Sequence, residues 1–206
     1  MNTPITVIGL TGQTGAGKTT VTLELEKLGC FVIDCDKLAR EIVSPGSPAL
    51  SELARRFGRD ILNPDGSLDR KLLASRGFAD EESRKALNAV THPAITKKAL
   101  ECVDCAAGEG FSVAVIDGAA LLESEIKNYC DILVSVIAPA PVRLNRILAR
   151  DGITREQAEE RMAAQKNEEY YIDNSDIIIR NYPPFELGDQ MKELKSYIKA
   201  KETGLS

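Results

Sequence analysis

Eight consecutive residues, Gly12-Gln13-Thr14-Gly15-Ala16-Gly17-Lys18-Thr19, constrain this chain more than any other stretch. They have the G-x-x-x-x-G-K-[ST] spacing of a phosphate-binding loop. Their surroundings suit it. Ile5-Thr6-Val7-Ile8-Gly9-Leu10 is short, β-branched and apolar, and predicts a buried strand. In Thr20 to Leu28, Val21, Leu25 and Leu28 recur at helical spacing, and Gly29 supplies a stop. Glycines let successive N–H groups turn inward at an anion, and a helix N-terminus adds unpaired donors and partial positive charge. Gly12, Gln13, Thr14, Gly15, Ala16, Gly17, Lys18, Thr19 and Thr20 are therefore the candidate nucleotide-binding set. Lys18 is expected to reach the β- and γ-phosphates of a triphosphate and the Thr19 hydroxyl to ligate Mg²⁺. The competing reading is a glycine-rich strand-to-helix turn with no ligand.

At 206 residues the chain suits one α/β domain with room for insertions. A net charge of −5 argues against wholesale binding to nucleic acid or an anionic membrane, though not against a local basic patch. No apolar run reaches the length of a membrane span. Met1-Asn2-Thr3-Pro4 lacks a charged region leading into an apolar one, so no signal peptide is expected. Five cysteines form no disulfide-framework pattern. Cys102-Val103-Asp104-Cys105 is formally C-x-x-C, but it lies in a helical stretch without a second pair, and His92 is the sole histidine. A reducing, cytoplasmic setting is the expectation.

Along the chain, Cys30 to Asp34 reads as a second buried strand delivering Asp34-Cys35-Asp36 at its end, beside Lys37 and Arg40. One of the two aspartates is expected to cap the next helix. From Leu38 to about Ala107 the texture is helical. Leu50, Leu53, Ala54 and Phe57 form one amphipathic face; Leu72, Leu73 and Phe78 suggest a further helix, followed by Leu87 and Val90. His92-Pro93 is read as a break, with a new helix from Ile95. So long an insertion between strands suggests a substrate-binding subdomain. Phe111 to Asp117 is a third apolar strand, ending in a carboxylate placed to support a Mg²⁺ shell. Asp131 to Ile137 and Asp176 to Asn181 are the fourth and fifth strands. Between them Arg143, Arg146 and Arg150 would share one helix face. A break at Asp151-Gly152 gives the outline of a mobile lid able to close on phosphates. Leu187, Met191, Leu194 and Ile198 outline a terminal amphipathic helix.

This arrangement resembles the dephospho-CoA kinase family over nearly the whole chain. The resemblance is carried by Ile8-Gly9-Leu10-Thr11-Gly12 leading into the loop and by Val32-Ile33-Asp34-Cys35-Asp36-Lys37-Leu38-Ala39-Arg40, similar to V-I-D-x-D-x-x-A-R. It continues through Gly66-Ser67-Leu68-Asp69-Arg70 and Leu87-Asn88-Ala89-Val90-Thr91-His92-Pro93 to Arg161-Met162-Ala163-Ala164-Gln165, similar to R-I-x-A-Q. Gln13 departs from a usual glycine, and Asp117 to Glu123 lacks the proline and aromatic of D-x-P-L-L-F-E.

The resemblance implies a P-loop kinase fold with a five-stranded parallel sheet, a helical substrate-binding insertion and a helical lid. It divides the chain into a nucleotide-binding core (about 1–37, 108–140 and 174–206), a CoA-binding region (about 38–107) and a lid (about 141–173). The implied reaction is ATP- and Mg²⁺-dependent phosphorylation of the ribose 3′-hydroxyl of dephospho-CoA, the last step of coenzyme A biosynthesis. Asp36 would be the general base, with Asp34 the runner-up. Lys18 cradles ATP, and Thr19 and Asp117 serve the metal, Asp117 through water. Arg40 and His92 shape the acceptor site, Arg150 and Arg161 contact phosphates from the lid, and Asn181 is a candidate at the adenine. The partner is the small-molecule substrate, with no nucleic acid and no membrane, and the chain is a monomer or weak homo-oligomer. Two competing classes are a kinase for another small alcohol and a nucleotide-dependent switch without a small-molecule acceptor.

Overall fold

The computed structural model describes residues 5–202; the Met1-Asn2-Thr3-Pro4 start lies outside them. The strands are β1 (Thr6–Gly12), β2 (Phe31–Asp34), β3 (Val113–Asp117), β4 (Ile132–Ile137) and β5 (Ile177–Arg180), ordered β2-β3-β1-β4-β5 in one sheet. β1 runs parallel to both neighbours, with Leu10 opposite Asp117 on one side and Val134 on the other. β4 and β5 are also parallel. Every residue of β1 and β3 is buried, as their unbroken apolar runs require of strands covered on both faces. Each fully buried Val, Leu or Ile side chain contributes about 1.5–3 kcal/mol. Ile8, Leu10, Val115, Val134 and Ile179 are among those in the sheet's core, joined by Val21 and Leu25 of α1 (Lys18–Lys27).

All five strands start one or two residues later than the sequence suggests. Asp131 and Asp176 precede β4 and β5, and their Oδ2 atoms accept the N–H groups of Val7 (2.8 Å) and Leu133 (2.7 Å). A short carboxylate at a strand entrance can catch a neighbouring main-chain donor, which hydropathy alone does not reveal.

The chain forms two compact units: residues 5–33 with 103–202, which carry the sheet, and Asp34–Cys102. The second unit is helical, with α2 (Cys35–Glu41), α3 (Pro48–Phe57), α4 (Arg70–Gly77) and most of α5 (Glu81–Gly108). Its own core gathers Val43, Leu50, Leu53, Ala54, Ile61, Leu73, Leu87 and Val90. Ser47 and Asp69 cap α3 and α4 by accepting the N–H groups of Leu50 and Leu72.

Two expectations fail here. Phe78 is not on the apolar face of α4; it follows the helix and is 65% exposed. Nor does His92-Pro93 break a helix, because Pro93 lies inside α5. A proline removes one intrahelical hydrogen bond and disfavours helix in the residue before it. Burial of Leu87 and Val90 before it and of Thr96 and Ala99 after it outweighs that local penalty.

In the first unit, α6 (Ala140–Asp151) ends at Gly152, whose φ of +62° suits a residue without a Cβ. α7 (Arg155–Ala163) starts with a capping box in which Thr154 and Gln157 satisfy each other's main-chain donors. Leu144 and Ile147 of α6 pack on Ala158 of α7. The short α8 (Glu168–Asp173) follows, and α9 (Leu187–Glu202) closes the described chain, burying Met191, Leu194 and Ile198.

Candidate active site

The phosphate loop begins where β1 ends. A Cβ on Gly12 would lie 2.5 Å from the Val136 carbonyl oxygen, and one on Gly15 2.6 Å from that of Arg143. Gly15 and Gly17 hold φ of +78° and +95°, backbone that side chains other than glycine's rarely adopt. Gly17 is the N-cap of α1 and offers no side-chain cap, and the first turn of α1 carries no acidic residue. The donors at that helix end are thus left for an anion, with the partial positive charge of the helix behind them. The main chain at Val136 and Arg143 leaves no room for a Cβ at Gly12 or Gly15, and the uncapped helix end beside them fits a triphosphate.

Lys18 opens α1 and forms an ion pair with Asp117, the last residue of β3. Oδ2 of the same carboxylate accepts the Thr22 hydroxyl at 2.8 Å, one helical turn beyond Lys18. Thr19 is exposed beside it. Among the described residues no group of three or more His, Cys, Asp or Glu could hold a metal. The oxygens of Thr19 and Asp117 instead suit Mg²⁺, which takes one or two protein oxygens and completes its shell with water and substrate phosphate.

The arginines of α6 are not one phosphate-facing row. Arg143 is buried, and Nη1 donates to the Thr14 carbonyl at 3.5 Å. Desolvation pushes its guanidinium below the usual arginine value, opposed by Tyr171 and Glu168. Arg146 is half-buried, donating to the carbonyls of Ala16 (3.0 Å) and Asn181 (2.8 Å). The Asn181 side chain also donates to the Ala16 carbonyl at 3.0 Å. These residues brace the loop from behind. Sequence reading grouped Arg143 and Arg146 by helical spacing, but their common target lies far away in the chain. Arg150 alone of the three is exposed; it and Arg161 both pair with Asp151, at 2.6 and 2.5 Å. Thr22 was also missed, although a hydroxyl beside the buried Val21 and Leu25 is a readable oddity.

In the helical unit, Asp34 ends β2 and caps α2: its Oδ1 accepts the N–H groups of Asp36 (2.8 Å) and Lys37 (3.1 Å). Asp36 is exposed in the first turn of α2. Arg40 is exposed in the last turn, and its carbonyl accepts from Arg70 at 3.4 Å. His92 is half-buried on α5. The C-x-x-C pair also lies on α5.

A glycine cradle between a buried parallel strand and a helix, with a lysine and a strand-end carboxylate at its mouth, defines a P-loop kinase. The family model for dephospho-CoA kinase matches residues 6–184, and the chain belongs to that family. It is 40% identical over 174 residues to the dephospho-CoA kinase of Corynebacterium glutamicum, covering 84% of this chain and 87% of that one. Among solved structures, TT1252 from Thermus thermophilus superposes with a TM-score of 0.78 at 30% identity, over 95% of this chain and 97% of that one. A dephospho-CoA kinase from Campylobacter jejuni superposes with a TM-score of 0.63 at 26% identity, over 97% and 98%. Among the described residues no helix is long and apolar enough to cross a membrane.

Proposed function

We propose that this kinase transfers the γ-phosphoryl group of ATP to the ribose 3′-hydroxyl of dephospho-CoA, giving CoA and ADP, with Asp36 as general base. The observation that carries the reading is the Lys18–Asp117 pair at the mouth of the Gly12–Gly17 cradle, in a member of this family. Phosphoryl transfer asks a protein chiefly to position reactants and stabilise charge. The Lys18 ammonium and the main-chain donors of Gly15, Gly17, Lys18 and Thr19 bind the phosphates; those of Gln13, Thr14, Ala16 and Thr20 are already engaged within the fold. Thr19 and Asp117, the latter through water, would hold a Mg²⁺ ion, which when bound would supply neutralising charge to the phosphates.

Two aspartates compete for the proton, and the cap separates them. Asp34 already spends Oδ1 on two main-chain donors, which holds it at the head of α2. The exposed Asp36 is the better base for the 3′-hydroxyl. Arg40 and His92 shape the acceptor site. Arg150 and Arg161 leave Asp151 to meet the phosphates as charge moves, the α6–α7 segment acting as a lid. The three parts are a nucleotide core, a CoA-binding region at about 38–107 and a lid at about 141–173. The enzyme acts in the cytoplasm as a monomer or weak homo-oligomer.

The test is ADP release from enzyme and Mg-ATP on adding dephospho-CoA, adenosine or pantetheine. Release on dephospho-CoA alone supports the reading. Release on adenosine or pantetheine only, or slow hydrolysis indifferent to acceptor, overturns it.

A further inference from the structure

One short stretch of the phosphate loop is gripped by side chains from the α6–α8 region. Gln165 Oε1 accepts the Thr14 N–H at 2.7 Å. Gln13, only 4% exposed, donates through Nε2 to the Lys166 carbonyl at 3.5 Å, and Arg143 takes the Thr14 carbonyl. The first of these is a short, strong amide bond and the other two are long. Gln165 and Lys166 lie just beyond α7, which carries Arg161 in its last turn. The N–H of Ala164 bonds to the Glu160 carbonyl and that of Gln165 to the Met162 carbonyl, so helical bonding continues from Arg161 to the tether. Gln13 Oε1 and Arg143 Nε are both buried without a hydrogen-bond partner among the described residues.

We propose that Gln165 is a positioning residue for phosphoryl transfer: its bond to the Thr14 main chain fixes the arginine-bearing end of α7 against the phosphate loop. Arg161 then turns on a fixed pivot when it exchanges Asp151 for phosphate. Gln13 adds a second strand to this tether that a glycine at its position could not supply. The inference rests on the phosphoryl-transfer reading above, and the test of its tether is independent of the acceptor.

Gln165→Met keeps the length of the side chain and removes the acceptor; Gln165→Glu keeps an acceptor. Three quantities are read: hydrogen exchange of the Thr14 amide in the resting protein, ADP affinity by titration, and kcat with KM for ATP. In Gln165→Met the Thr14 amide exchanges at least about tenfold faster. Its kcat falls about 10- to 100-fold, the scale on which small misplacements act, while ADP affinity stays within about twofold. Gln165→Glu restores protection of Thr14 and most of kcat, with a KM for ATP that rises at low salt because a negative charge now lies beside the phosphates. Unchanged exchange at Thr14 in Gln165→Met overturns the tether. Faster exchange with full kcat reduces it to a packing contact and overturns the positioning role. If Gln165→Met does not fold, Gln165→Asn replaces it, one methylene too short to reach. Lower kcat than Gln165→Glu then supports the proposal, and equal kcat sinks it. Failure of the wild-type enzyme to phosphorylate dephospho-CoA would overturn the functional reading and the positioning role with it, whereas unchanged exchange at Thr14 in Gln165→Met would overturn the tether alone, since exchange and ADP titration need no acceptor.

Discussion

Lys18 and Asp117 meet as an ion pair across nearly a hundred residues of sequence, and the Thr22 hydroxyl fixes the second oxygen of that carboxylate at 2.8 Å. One helical turn thus supplies both groups that orient Asp117. Thr22→Val keeps the shape and removes the donor, leaving a buried carboxylate oxygen unsatisfied. That should cost about 1–3 kcal/mol of stability, measured by urea unfolding, whereas Thr22→Ser should be nearly silent. Lys18→Met should lower kcat by about 10²–10³-fold, the loss expected for one pre-organised charge donor, in steady-state assays with saturating ATP.

The two aspartates at the head of α2 should respond in opposite ways. Asp36→Asn is expected to lower kcat about 10²–10⁴-fold with ADP binding retained, as loss of a general base requires. Asp34→Ala removes the cap and should cost about 1 kcal/mol of stability, whereas Asp34→Asn, an equally good cap, should cost little. Single-turnover kinetics and urea titration on the three variants check both claims. Near-normal turnover in Asp36→Asn would place the base elsewhere.

Gly17→Ala should weaken ADP binding by about tenfold or more. The left-handed backbone at +95° strains any L side chain by about 1–2 kcal/mol, and the new methyl meets the Asn181 carboxamide. Adding Asn181→Ala relieves the collision and leaves the strain, so binding should recover only in part. Calorimetric titration with ADP distinguishes the two contributions.

Acid should loosen the α6–α7 segment. The Arg150 guanidinium, with help from Arg161, holds the Asp151 carboxyl below its ordinary value. A depressed carboxylate contributes stability that is complete above its unfolded value and lost as pH falls through the folded one. Protection of α7 amides should therefore be flat through neutral pH and fall below the ordinary carboxylate range, and Asp151→Asn should abolish that part of the fall. Glu52 is likewise held low, at about 2, by Arg55 and then Arg56. Hydrogen exchange followed across an acid series measures the difference between wild type and variant.

Much of the fold was legible because its signals are local. The buried runs of β1, β3 and β4 had to be covered on both faces, and Gly15, Gly17 and Lys18 announced a phosphate cradle by spacing alone. The exceptions were places where the tertiary setting departs from local preference. Pro93 sits inside α5 because apolar neighbours on both sides hold the helix. Phe78 lies exposed although its type and spacing suit a core.

What the amino-acid order determined by itself was the strand–loop–helix unit around Gly12 to Thr19, the family, and the residue types available for phosphoryl transfer. What only the tertiary structure decided was which side chains answer to which. Arg143 and Arg146 brace the loop rather than face phosphate, Asp34 is the cap, and Gln165 bonds the Thr14 amide. The reason is physical. Conformational preference and hydrophobic period act over a few residues, whereas a hydrogen bond between positions 14 and 165 exists only once the sheet has brought them within 3 Å of each other.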